Sequence, residues 1–368
     1  MKIKKKGKKM YNIGIVGIGF LGGSLVKSLS KSKKVKSIIA LDKNLSSLKK
    51  AYSDGVITDY TLEINEKFSD CDIIFICTPV SYIVDYVKKL KKFIKKDCII
   101  TDTGSTKKTI LDETKKINVE FIGGHPMIGS ERSGYETSKD LLFENSYYII
   151  TKNNKNSNEA IEKLKELILE IRAIPIIIDE DKHDYITSII SHVPHIVASA
   201  LVKLVKTSDD ETETMKTLAA GGFKDITRIA SSDPVMWENI CVENRGEILN
   251  SLDRFIDILE DFKLKINSRE NLYEYFENSK KYRDSFINRK INGNTMPELN
   301  VSIKDENGAI AKITTILSQN NIGIKNIEVL NNRENNFGAL RIVVRNYEER
   351  DLGYDIIQKL GYDIVKIN

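Results

Sequence analysis

The chain has 368 residues, 41% hydrophobic and 30% charged, and its 57 basic and 52 acidic side chains leave a formal net charge of +5. That length predicts two or three domains, and a composition with only 6 Pro and 4 Cys excludes a disordered, collagen-like or disulfide-dense protein. The basic excess gathers in the opening MKIKKKGKKM and in lysine-rich stretches within 88–96 and 107–116, runs that read as solvated faces, so no nucleic-acid partner is expected.

The opening tail followed by the apolar Ile13–Val26 imitates a signal peptide, but Gly14, Gly17, Gly19, Gly22 and Gly23 interrupt it at spacings suited to a strand, a tight turn and a helix start. No other stretch reaches membrane-spanning length, and no membrane partner is expected. Cys71, Cys77, Cys98 and Cys241 lack metal-ligand spacing. They read as free thiols in a reducing, cytoplasmic compartment, without a metal site.

From Tyr11 to about Ile178, the β-branched runs NIGIVGI, SIIALD, CDIIFICTP, DCIITDTG, EFIGGH, SYYIIT and IPIIID alternate with amphipathic stretches such as Ser81–Phe93 and Asn158–Ile171. Strands separated by helices predict an α/β fold: a Rossmann-like, doubly wound sheet with parallel pairing over residues 10–178. The β signal then stops. Helical patterns over Tyr185–Lys206, Glu213–Ala219, Pro234–Phe262 and Ser268–Asn288 predict an all-helical second domain, 179–290, that shares a cleft with the first and dimerises through long helices. INGNTMPE (Ile291–Glu298) reads as a linker, and 298–368 follows the strand and helix order βαββαβ of a ferredoxin-like sandwich.

Gly17-x-Gly19-x-x-Gly22 follows the first strand and opens a helix at Phe20 and Leu21. The first glycine can make the turn, the second lets backbone approach a pyrophosphate, and the third allows close helix–strand packing. Asp42 ends the next strand at the offset where a carboxylate accepts ribose hydroxyls and repels a 2′-phosphate, which favours NAD over NADP, although Lys43 partly compensates. Thr78 and Pro79, after another strand, line the same crevice.

His125, between Gly124 and Pro126, stands where its ring can project into the crevice at the carboxyl edge of the sheet. Taken alone, such a histidine is more often a structural hydrogen-bonder. Ser105, in Asp102-Thr-Gly-Ser-Thr-Lys107, follows a strand at the same edge. Ser191 and His195 share a helix face unless Pro194 ends that helix. Arg228 suits a bidentate grip on a carboxylate or, equally, an ion pair with Asp225. His183 with Asp184 reads as a helix cap, and His192 has no assigned role. A zinc pair from His192 and His195 is disfavoured by the intervening Pro194 and by the lack of a carboxylate or thiol partner at fitting spacing.

In this order GIGFLGGS, TDTGSTK, GGHPMIGSERSG, SHVPH and GFKDITRIASSDPVMW resemble the prephenate dehydrogenases of tyrosine biosynthesis, over nearly the whole chain. The resemblance implies conversion of prephenate and NAD to 4-hydroxyphenylpyruvate, carbon dioxide and NADH. It implies that His125 handles the ring hydroxyl proton with help from Ser105, and that Ser130, Glu131, Ser191, His195 and Arg228 contact the substrate, with Trp237 packing against the cleft. The last segment resembles an ACT domain. Such modules pair side by side, which implies an amino-acid pocket from Asn307, Gly308, Ala309 and Ile310 with Asn321 and Asn326, tyrosine as the effector and a homodimer. The competing readings are an arogenate or broad cyclohexadienyl dehydrogenase and a non-catalytic NAD-binding amino-acid sensor.

Overall fold

Runs of Ile, Val and Phe form a sheet of eight strands: β1 (Tyr11–Val16), β2 (Val35–Leu41), β3 (Asp59–Thr61), β4 (Ile73–Ile76), β5 (Ile99–Asp102), β6 (Glu120–Pro126), β7 (Tyr147–Lys152) and β8 (Ile174–Asp179). This is a computed structural model, and it describes residues 10–129, 133–153, 155–286, 290–291, 294–295, 297–304, 306–330 and 337–367. The sheet order is β3-β2-β1-β4-β5-β6-β7-β8, and the chain divides into two units, Met1–Leu259 and Glu260–Asn368. Helices α1 (Phe20–Leu29), α2 (Leu45–Ser53), α3 (Val80–Leu90), α4 (Lys108–Thr114) and α5 (Asn158–Glu170) connect the strands.

The alternation along β4 shows why both faces of this sheet are apolar. Ile73 and Phe75 join a core with Ile13, Ile15, Leu25 and Leu164, whereas Ile74 and Ile76 join a second core with Val16, Ile83, Val87 and Ile110. β1 pairs in parallel with β2 on one side and with β4 on the other. The order therefore reverses beside β1, and the crevice of a doubly wound sheet opens at the carboxyl ends there.

Two sequence expectations about the sheet are corrected. The short, polar strand β3 is added at an edge, where its Asp-Tyr-Thr carries almost no apolar signal. β7 pairs antiparallel with β6, with His125 opposite Ile149, so the sheet is mixed. A parallel return needs a crossover of helix length. Among the described residues between β6 and β7 there is only the 3-10 turn Tyr135–Thr137.

After β8 the chain runs through α6 (Glu180–Thr187), a π turn (Ser188–His192) and α7 (Val193–Ser208) without a break. Pro194 does not end the helix. The wide turn before it, in which Val193 N–H bonds Ser188 O, accommodates the missing N–H and the ring. The resulting helix, Glu180–Ser208, has 29 residues and is long and apolar enough to cross a membrane, which corrects the expectation that no later stretch reaches that length. Only 28% of its most apolar window is buried within the chain. Then come α8 (Thr214–Leu218), α9 (Gly221–Thr227), α10 (Pro234–Glu243) and α11 (Arg245–Asn267). The expected single helix over Pro234–Phe262 is split at Asn244, whose side chain turns inward to bond Asp184 O and His192 Nδ1.

The second unit contains α12 (Tyr273–Ser285) and a two-residue antiparallel pair, β9 (Lys290–Ile291) and β10 (Asn294–Thr295). The sandwich follows as β11 (Glu298–Lys304), α13 (Ala309–Gln319), β12 (Ile324–Leu330), β13 (Phe337–Val344), α14 (Tyr347–Lys359) and β14 (Ile364–Ile367). Its sheet order, β12-β13-β11-β14, is antiparallel throughout, as a ferredoxin-like sandwich requires. Leu299, Val301, Leu317, Leu340, Ile342 and Ile357 form its core.

Candidate active site

The carboxyl ends of β1, β4, β5 and β6 lie side by side, and each is followed by one of the segments singled out in the sequence. Gly17 adopts φ +89°, a left-handed turn, and a Cβ on Gly22 would lie 1.9 Å from Gly17 O, so both must be glycine. Gly19, in contrast, faces open space. Phe20 and Leu21 start α1, whose first turn has no acidic residue and no side-chain cap, so its N–H groups are left for an anion. Asp42 Oδ2 accepts the Ile18 N–H at 2.8 Å and Oδ1 that of Asn44 at 2.8 Å. These bonds fix the carboxylate and leave one lone pair on each oxygen. Thr78 Oγ1 is buried without a partner, beside Pro79, the N-cap of α3. A tight turn, an open Gly19 and an orphan hydroxyl are features of a cradle for a dinucleotide.

At the next strand end Asp102 and Lys107, both fully buried, form an ion pair at 2.5 Å. The other Asp102 oxygen accepts Gly124 N–H at 3.0 Å, which ties the end of β5 to the strand that carries His125. A Cβ on Gly124 would stand 2.4 Å from Asp102 O, so the glycine before His125 is required by the closeness of the two strands. Ser105 is half-buried on the loop between them and α4.

His125 is buried, and its Nδ1 meets His183 Nε2 at 2.9 Å. His183 Nδ1 meets Asp184 Oδ1 at 2.7 Å. Asp184 also accepts Lys107 N–H at 2.8 Å and Lys108 N–H at 2.9 Å. Burial holds His125 well below the usual histidine range, and repulsion that a proton on His125 would meet from Lys107, or from a protonated His183 or His192, acts in the same sense. Burial also lowers His183, outweighing the opposing hydrogen bond from Asp184. Burial opposes the ionisation of Asp184, but the His183 bond and the two backbone donors keep it below the carboxylate norm. Neutral rings beside a carboxylate leave one arrangement of protons: His183 donates from Nδ1 to Asp184, His125 donates from Nδ1 to His183, and His125 Nε2 stays a bare acceptor.

His195 stacks on Trp237, with ring centroids 3.5 Å apart and 9° between planes, and His192 meets the same indole edge-on at 6.1 Å. Burial lowers His195, and pushes His192 to about 4. His195 Nδ1 and Trp237 Nε1 are both buried without a partner, open to a bound molecule. Ser191 is half-buried in the π turn. Asn244 links this cluster to the first, since it bonds both His192 and the backbone of Asp184. Arg228 is exposed at the start of the 3-10 turn Arg228–Ser231, on a segment packed against α7. Ser130 and Glu131 lie outside the described residues.

Sequence reasoning missed His183 and Asn244. His183 reads as a cap because a neighbouring Asp184 at a helix start is a local signal, whereas its bond to His125 spans 58 residues and has none. The six effector residues belong to the second unit. Asn307 and Gly308, the latter at φ +87°, precede α13, which begins at Ala309 and Ile310. Asn321, at φ +58°, follows α13, and Asn326 lies at a bulge of β12. Among the described residues no group of three or more His, Cys, Asp or Glu is placed to hold a metal.

The family described as "Prephenate dehydrogenase, nucleotide-binding domain" matches residues 25–177, and "Prephenate dehydrogenase, dimerization domain" matches 179–278. The chain is 36% identical over 343 residues to a prephenate dehydrogenase of Bacillus subtilis, covering 91% of this chain and 92% of that one. It is 33% identical over 362 residues to one of Lactococcus lactis, covering 95% and 98%. A crystal structure of prephenate dehydrogenase from A. aeolicus, in complex with hydroxyphenyl propionate and NAD+, superposes with a TM-score of 0.71 at 35% identity, over 76% of this chain and all of that one.

Proposed function

The chain belongs to the prephenate dehydrogenase family, and from that premise we propose that it converts prephenate to 4-hydroxyphenylpyruvate and carbon dioxide with reduction of NAD. The observation that carries this reading is a buried His125 whose Nδ1 is engaged by His183, three strands along the sheet edge from the Gly17–Gly22 turn. Three strand spacings amount to roughly 14 Å, a span suited to a dinucleotide whose pyrophosphate rests at one end and whose reactive ring reaches the other.

NAD supplies the hydride acceptor. The residues of the chain do the rest. As hydride leaves the ring carbon that bears the hydroxyl, His125 Nε2 accepts the hydroxyl proton, and Ser105 on the adjacent loop orients that hydroxyl. Loss of carbon dioxide is driven by aromatisation and asks only for orientation, which we assign to Ser130, Glu131, Ser191, His195 and Arg228. Stacking on Trp237 fixes the His195 ring for that task.

We further read the chain as a nucleotide domain (10–178), a helical substrate and dimerisation domain (179–290) and an ACT-type domain (298–368). The sandwich topology supports the last, with tyrosine as effector. α13 has 11 residues, so Gly308 and Asn321 stand roughly 16 Å apart along it, further than one amino acid bridges; a joint pocket needs a second copy. Exposed Ile190, Leu218 and Val242 on the helices after β8 support a homodimer, and four free cysteines support a reducing, cytoplasmic compartment. The test is NADH production from prephenate and from arogenate, each with NAD and NADP. Turnover of prephenate with NAD is expected; turnover of arogenate alone would transfer the chain to the arogenate enzymes, and none in a folded protein that binds NAD would leave a sensor.

A further inference from the structure

His183 and Asp184 touch neither the dinucleotide turn nor the residues assigned to substrate, yet both are buried, bonded to each other, and joined to the catalytic edge by three hydrogen bonds. A histidine accepts at one nitrogen only in the tautomer set by the partner of the other. At His125 that partner is His183, and the orientation of His183 is set in turn by a carboxylate that can only accept. The same carboxylate receives the Lys107 and Lys108 N–H groups, at the end of the loop that carries Ser105.

We propose that His183 and Asp184 are positioning residues: Asp184 anchors the Ser105 loop through two backbone donors and, through His183, locks His125 in the Nδ1–H tautomer that leaves Nε2 as the proton acceptor. One carboxylate thus orients both arms of the catalytic pair. The inference deepens the dehydrogenase reading and rests on it for the identity of the proton that is moved. The ionisable groups that act on the pair are Lys107, His192 and Asp102, and Lys107 is itself neutralised by Asp102 at 2.5 Å.

Asp184→Asn is the decisive variant. Lys107 N–H and His183 Nδ1 share Oδ1 while Lys108 N–H takes Oδ2, so an asparagine that keeps its oxygen on Lys108 N–H gives up the Lys107 bond and presents Nδ2–H to His183, which must then accept at Nδ1 and donate from Nε2. His125 in turn accepts at Nδ1 and carries its proton on Nε2, the wrong tautomer. Imidazole nitrogen NMR of the full-length, NAD-bound protein reads this directly, because only 4 histidines contribute. We expect His125 to change from Nδ1–H to Nε2–H, kcat on prephenate to fall about 100-fold or more, and NAD affinity to be unchanged. An unchanged His125 tautomer in folded Asp184→Asn, or kcat within about threefold of the unmodified enzyme, overturns the proposal.

If that variant does not fold, His183→Gln and His183→Leu decide. Glutamine keeps an acceptor at the ε position and leucine does not, so glutamine should exceed leucine in kcat by about tenfold or more at equal KM for NAD. Equal loss in both would reduce His183 to a packing residue and overturn the proposal. An unmodified protein that binds NAD but leaves prephenate intact would defeat the dehydrogenase reading, while the NMR result on the tautomer would still stand or fall separately.

Discussion

The active edge of the large sheet and the C-terminal sandwich are built on opposite principles. At the edge, Asp102, Lys107, His125, His183, Asp184 and His192 are all buried, and most of their polar atoms are spent on one another. In the sandwich the core is aliphatic, and Arg341 on β13 reaches across the sheet to Glu298 on β11 at 2.6 Å and to Glu328 on β12. A core of Leu, Ile and Val stabilises without specifying chemistry. A buried polar network costs desolvation, and its return is a set of groups held in one protonation state.

The comparison is broken most sharply at His125. His125→Asn should lower kcat about 1,000-fold with NAD affinity kept, measured by steady-state kinetics and a binding titration; retention of kcat would move proton transfer to another group. Next comes a pair of glycines. Gly22→Ala drives a Cβ to 1.9 Å from Gly17 O and should abolish NAD binding and lower Tm. Gly19→Ala points into open space and should weaken NAD with Tm unchanged. On the other side, Leu317→Ala in the sandwich core should cost about 2–5 kcal/mol in denaturant unfolding of the second unit and leave kcat at saturating substrate alone.

The smallest effect is the dependence on pH. His125 works neutral and is lowered by burial, so kcat should be flat above pH 6.5 and fall only as pH drops through a value well below it. Stability follows the same sign. His192, at about 4 in the folded chain, takes up protons more readily when unfolded, so its contribution is present above pH 6.5 and lost as pH falls toward 4. The sandwich has no histidine, so its unfolding midpoint should hold until about pH 5, where unfolded carboxylates start to take up protons and its paired Glu306 and Asp351, both held below the usual carboxylate range, begin to lose their contribution.

The parts that were legible in the sequence are those with local causes. Short β-branched runs between amphipathic helical stretches placed seven strands, the glycine spacing placed the dinucleotide turn, and the strand and helix order placed the sandwich strands. β3 escaped because Asp-Tyr-Thr at an edge offers no apolar run. The reversal at β7 escaped because strand direction depends on how the intervening segment folds, which hydrophobic period does not encode. At the site, His125 was legible from its place between Gly124 and Pro126, whereas its partnership with His183 and the role of Asn244 exist only after folding.

The π turn at Ser188–His192 takes up one extra residue in a single widened turn, in which Val193 N–H reaches back to Ser188 O. Five residues at roughly 80° each turn the chain about as far as four at 100°, so the helix resumes beyond the turn along its old line. His183 and Asp184, upstream, face the sheet edge, and His195, downstream, faces Trp237. Deleting Ile190 should therefore leave both flanks in place and act on the turn alone, shifting Ser191 and His192 and parting His192 from Asn244: the spare residue is slack taken up in one coil, and what it sets is the aim of the side chains inside that coil.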